Sequence, residues 1–126
     1  MTKYKSQGFL RTFKNARKGM RLAIKSERNI RVHLMVTLLV LTTAFYFHFS
    51  AIKICILILA ISFVISAEML NSAIEFALDS IYHNKYSRMV GIAKDIAAGA
   101  VMVTTFAAIL VGVLLFAHPF YKLLFG

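Results

Sequence analysis

The chain contains five carboxylates, Glu27, Glu68, Glu75, Asp79 and Asp95. Glu68, Asn71, Glu75 and Asp79 fall at i, i+3, i+7 and i+11. On a helix of about 3.6 residues per turn they form one narrow stripe. Such a stripe does not face lipid; it must face other helices, water, cations or a metal ion. Hard oxygen donors suit Mg²⁺, which is held by one or two carboxylates together with substrate phosphates. Zinc is a poor fit, because His33, His48, His83 and His118 are scattered without ligand spacing.

Lys94 immediately precedes Asp95. Its ammonium could anchor a helix end at a membrane interface or neutralise a phosphate near the carboxylate stripe. The run Ile96-Ala97-Ala98-Gly99-Ala100 that follows has small residues, whose plain reading is close helix packing. There is no G-x-x-x-x-G-K-[ST] loop and no protein-kinase signature set. Any nucleotide chemistry would therefore run outside the standard soluble nucleotide folds.

The elements that carry these residues are apolar. The 126 residues are 60% hydrophobic and 16% charged, whereas a soluble domain carries about 25% charged residues. The excess apolar surface points to a bilayer. Spans are expected at about 31–49, 52–81 and 91–117, each near or above the ~20 residues that cross a ~30 Å hydrocarbon layer. Pro119 is taken to mark the end of the third. The expected fold is all-α, a single domain over residues 1–126, an integral membrane bundle of three helices. Cys55, alone in an apolar run, excludes an internal disulfide.

The net charge of +10 is uneven, with ten of the fifteen basic residues between Lys3 and Arg31. That segment runs straight into an apolar span, so anionic lipid headgroups suit it better than nucleic acid. Over about residues 8–26, at roughly 100° per residue, Phe9, Phe13, Ala16, Met20 and Ile24 share one face of a helix. Arg11, Lys14, Lys18, Arg21 and Lys25 take the other, the pattern of an amphipathic helix lying in the headgroup plane. If that helix continues to Glu27, the carboxylate falls on its apolar side. The basic region is too long for a secretory signal peptide. The positive-inside rule places the N-terminus and all five acids on the cytoplasmic side and the C-terminus outside.

Glu68-Met69-Leu70-Asn71-Ser72-Ala73-Ile74-Glu75, then Asp79, then Ala93-Lys94-Asp95-Ile96-Ala97-Ala98-Gly99-Ala100-Val101, resembles the prokaryotic diacylglycerol kinase family. Ser26-Glu27-Arg28-Asn29 and the basic segment with Gly19 fit its N-terminal region, and the likeness covers nearly the whole chain. The resemblance implies a homotrimer in the plasma membrane, with three transmembrane helices and a surface helix per subunit, using Mg²⁺ and ATP. It implies Glu68 as the general base for a lipid hydroxyl, and Glu27 and Glu75 as metal-holding carboxylates that also meet ATP. It sets Asn71, Lys94 and Asp95 around the nucleotide and Ala98 near the lipid. Lys85, Tyr86 and Ser87 would also meet ATP, in a loop one residue longer than in relatives. Arg11, Lys14, Asn15 and Asp79 are matched less closely. The Glu27-Arg28-Asn29 and Ala97-Ala98-Gly99-Ala100-Val101 runs look more like the Gram-positive undecaprenol kinase branch than like diacylglycerol kinases.

A lipid alcohol presents its hydroxyl at the membrane surface while ATP arrives from the cytoplasm, so a site at that boundary serves both. The main rival from another class is a small oligomeric proton-coupled transporter, which would hold an acid near mid-membrane. A membrane scaffold, the second rival, has no use for a carboxylate stripe.

Overall fold

The computed structural model describes residues 8–83, 85 and 87–126. They form four helices, α1 (Phe9–Ser26), α2 (Arg28–Tyr46), α3 (Ala51–Tyr82) and α4 (Arg88–Phe125). α2, α3 and α4 are each long and apolar enough to cross a membrane. In hydrocarbon every backbone N–H and C=O must be satisfied internally, and a continuous helix does this within one segment. The 32 residues of α3 and 38 of α4 run about 48 and 57 Å at ~1.5 Å per residue, so both outreach a ~30 Å layer by several turns. The acidic stripe lies in the C-terminal turns of α3.

α4 packs along α3, α2 leans on α3, and α1 contacts α2. The buried apolar positions recur at intervals of seven or its double: Ile30 and Ala44 on α2, Leu57 and Val64 on α3, Val90 and Ala97 on α4. A seven-residue repeat keeps one seam of each helix against its neighbour. Glu68 and Ser72 extend the α3 seam and are buried as well. Outside these seams, large apolar side chains such as Leu38, Phe63 and Leu114 are more than half exposed.

The helix joints have local causes. α1 does not continue through Glu27. That residue is extended (φ −110°, ψ 111°), closing α1 and opening α2 in one step. The Arg31 guanidinium, one turn into α2, folds back to donate to the carbonyls of Ile24 (2.9 Å) and Lys25 (2.8 Å). Two of the acceptors that a helix C-terminus leaves unpaired are thereby met.

α2 starts and stops three residues before the expected span. Its end is a Schellman motif. His48 takes the left-handed conformation (φ 55°), its N–H bonds to the Phe45 carbonyl, and the Phe49 N–H bonds to the Ala44 carbonyl. Ser50 then caps α3, its hydroxyl accepting from the Lys53 N–H at 3.4 Å. α3 ends on a second left-handed histidine, His83 (φ 50°).

Pro119 does not end the last helix; α4 runs through it to Phe125. Proline removes one N–H from the ladder and crowds the carbonyl four residues before it, and aromatic contacts brace the helix on both sides of it. Phe120 meets Phe47 edge-on with ring centroids 5.1 Å apart, and Phe116 packs on Phe49 at 4.8 Å.

The α1–α2 joint is directly testable. Arg31→Met keeps the aliphatic stem and returns the two carbonyls to water. The expected loss is about 1 kcal/mol of stability, the usual net worth of such bonds, seen as a lower melting temperature in detergent micelles. An unchanged melt would show that the joint is held by something other than Arg31.

Candidate active site

Burial falls along the α3 stripe. Glu68 is 8% exposed, at the level where α3 meets α2. Asn71, Glu75 and Asp79 are half-buried, and Asp95 on α4 is exposed. The stripe therefore grades from a bundle interior toward solvent, and each member has a different environment.

Glu68 Oε1 lies 3.3 Å from Nε2 of His33 on α2. His33 also lines an apolar cavity of about 370 Å³ between α2, α3 and α4, with Val36, Val64, Ile65 and Ala108 among its walls. The buried carboxylate thus meets an imidazole that borders an apolar cavity. Sequence reasoning missed His33, because it tested the histidines only for zinc spacing. A signal was available: Ile30, His33, Thr37, Val40 and Ala44 follow the i, i+3, i+7 pattern of an inward helix face.

One turn along α3, the Asn71 amide donates from Nδ2 to Glu75 Oε1 at 3.5 Å. An ionised carboxylate only accepts, which fixes the amide orientation. Asn71 Oδ1 is left buried without a hydrogen-bond partner. An orphaned buried oxygen beside a carboxylate is the donor type that a hard cation such as Mg²⁺ takes. The local chemistry therefore fits the ion expected from the sequence. Glu27 is half-buried at the α1–α2 joint, and its carboxylate does not cap α2. Among the described residues, no three carboxylate, imidazole or thiol groups of one chain converge to hold a metal ion.

Lys94 does not reach to the Glu75 level. Its ammonium pairs with Asp79 Oδ1 at 2.7 Å, a turn further along. α3 and α4 are joined by a five-residue connection, His83 to Ser87. That short return sets the first turns of α4 opposite the last turns of α3. Both side chains of the pair are more than a third exposed, so the pair itself contributes at most about 1 kcal/mol.

Ser87 directly precedes α4 and is half-buried, while Lys85 is exposed in the connection. Tyr86 lies outside the described residues. Ala98 is exposed on α4, one position past buried Ala97. Arg11, Lys14 and Asn15 are exposed on α1, which buries no residue.

The sequence model for prokaryotic diacylglycerol kinase matches residues 14–116. All the candidate positions except Arg11 fall inside that match. The chain is 36% identical over 113 residues to a diacylglycerol kinase of Synechocystis, aligning 90% of its own length and 65% of that protein's. It thus spans just under two thirds of that relative. It is 35% identical over 108 residues to the undecaprenol kinase of Bacillus subtilis, covering 86% of this chain and 87% of the relative. To the diacylglycerol kinase of Escherichia coli K12 it is 34% identical over 115 residues, 88% of this chain and 93% of the relative. With the family's sequence model matched from Lys14 in α1 to Phe116 in α4, this chain belongs to the prokaryotic diacylglycerol kinase family.

Proposed function

We propose that the chain is an ATP- and Mg²⁺-dependent kinase of a membrane lipid alcohol, with undecaprenol as acceptor and diacylglycerol as the alternative. The observation that carries this reading is Glu68, a buried carboxylate joined through His33 to an apolar cavity. A lipid chain suits such a cavity, and a hydroxyl at its polar end would meet a base. Relatives acting on either lipid match to a similar degree. The choice of undecaprenol therefore rests on the Glu27-Arg28-Asn29 and Ala97-Ala98-Gly99-Ala100-Val101 runs.

In this reading the lipid hydroxyl oxygen bonds to the γ-phosphorus of ATP. The bond from that phosphorus to the β,γ-bridging oxygen breaks, and its electron pair leaves with ADP. The hydroxyl proton passes to Glu68. Phosphoryl transfer asks mainly for positioning and charge neutralisation. Glu75, Asn71 Oδ1 and Glu27 would hold Mg²⁺, which when bound supplies positive charge to the phosphate oxygens. Lys94 exchanges its half-exposed partner Asp79 for the triphosphate, a small loss against a charge-assisted phosphate contact. Asp95, Lys85, Tyr86 and Ser87 surround the nucleotide, and Ala98 lies toward the lipid.

The same reading lays α1 in the headgroup plane, puts the acidic end of α3 in the cytoplasm and the C-terminus outside, and assembles three copies. Its support is the basic load before Arg31 and the wide apolar exposure of the single chain.

Four measurements test it. ATP consumption in detergent micelles, run with undecaprenol and with diacylglycerol, should show turnover with the first. Turnover with diacylglycerol alone moves the acceptor to the alternative, and turnover with neither sinks the lipid-kinase reading. Glu68→Gln keeps size and loses the base, so activity should fall about 10²–10⁴-fold; activity near that of the parent removes Glu68 from this role. Glu27→Ala and Glu75→Ala should each raise the Mg²⁺ concentration needed for half-maximal turnover, and an unshifted titration in both speaks against metal binding there. Lys94→Ala should raise the KM for ATP about tenfold or more, with Lys94→Arg restoring only part of it, because a guanidinium fork does not replace a point charge. An arginine variant with full activity and an alanine variant with unchanged ATP dependence would leave Lys94 as an interface anchor.

A further inference from the structure

We propose that His33 is a positioning residue for Glu68, its Nε2–H holding one carboxylate oxygen so that the other is presented to the lipid hydroxyl. The inference rests on the reading of Glu68 as general base.

A base must begin ionised, and an ionised carboxylate is acceptor-only. The 3.3 Å contact between His33 Nε2 and Glu68 Oε1 therefore has the imidazole as donor. No other hydrogen bond to the Glu68 side chain is found among the described residues, so Oε2 is left for substrate. The distance is at the long end for N–H···O. Catalytic hydrogen bonds of this kind are commonly long without substrate and tighten when it binds.

Three features favour positioning over mere satisfaction of a buried charge. The His33 side chain is 27% exposed and the Glu68 side chain 10%, so the imidazole stands on the more open side of the pair. It also lines the apolar cavity and so touches the path by which a lipid chain would approach. A glutamate has three rotatable side-chain bonds, and one fixed oxygen is enough to stop the carboxylate swinging. The isosteric test follows from the geometry. Nε2 of glutamine falls near the place of Nε2 of histidine, whereas the asparagine amide is too short to reach.

The experiment uses the full chain in detergent micelles, with ATP and the better of the two lipid alcohols. His33→Leu should lower kcat about 10- to 100-fold, the order expected for a hydrogen bond to a charged group, with the KM for ATP within about twofold. His33→Gln should recover most of the loss, and His33→Asn should not. In a Glu68→Gln background, His33→Leu should cost little more, because the two residues act as one unit. A His33→Leu enzyme within about twofold of the parent overturns the proposal. So does a glutamine variant no better than asparagine when both melt like the parent, or losses from His33 and Glu68 that multiply. Should His33→Leu fail to fold, the glutamine–asparagine comparison decides alone. Full activity in Glu68→Gln strikes down the base assignment itself, and a silent His33 beside an inactive Glu68→Gln strikes down only this inference.

Discussion

A carboxyl group withdrawn from water between apolar helices is costly unless a hydrogen-bonding partner meets it. Glu68 imposes that condition on the bundle, and α2 answers it with His33. The contact fixes which level of α2 stands against which level of α3, since a shift of one turn (about 5.4 Å) would separate the two groups. With that register set, the small and β-branched seam residues Ala44, Val64 and Ile30 fall on the inward faces. A second polar contact, Lys94 to Asp79, sits near the α3–α4 connection and agrees with the level at which that connection returns the chain. One deep pair and one shallow pair thus mark the two helix interfaces that α3 makes, each reached from its acidic stripe.

Much of this was visible in the order of residues. The stripe on α3 is a matter of spacing, and helical spacing survives folding. The three apolar helices follow from the scarcity of charge between Val32 and Phe116, since a chain that must close its backbone bonds in hydrocarbon has few other forms. The joints were harder to read. No glycine marks the end of α2, where His48 adopts the left-handed conformation that glycine usually supplies. Pro119 reads as a stop, yet ring contacts between Phe120 and Phe47 hold the helix beyond it. The chain breaks at Glu27, and the carbonyls of the turn before it are met by Arg31, a residue already inside the next helix.

The least visible features are contacts across long separations. His33 and Glu68 are 35 positions apart and Lys94 and Asp79 are 15 apart, and neither pair follows from local pattern. The inward face of α2 could have drawn attention to His33, since a polar residue on a buried seam needs a partner. For Lys94, position along α4 was readable, but its partner depended on the length of the connection before it. The metal-holding assignment also remained a matter of chemistry. Asn71 offers a buried amide oxygen and Glu75, bonded to the same amide, a carboxylate, while Glu27 stands apart at the α1–α2 joint.

That joint has a mechanical consequence. α1 is an 18-residue rod with no buried residue, joined to α2 at the extended residue Glu27, with the Arg31 contacts on its last turn. Such a rod is about 27 Å long, so a rotation of ten degrees at its base sweeps the far end through about 5 Å. The Glu27 carboxylate, sitting at the fulcrum, moves by a small fraction of that. A lever of this proportion turns a small rotation at its base into a large displacement at its tip, while keeping a side chain at its pivot nearly still. The same leverage runs the other way: a displacement of Glu27 by a fraction of an ångström would register at Phe9 as a movement many times greater.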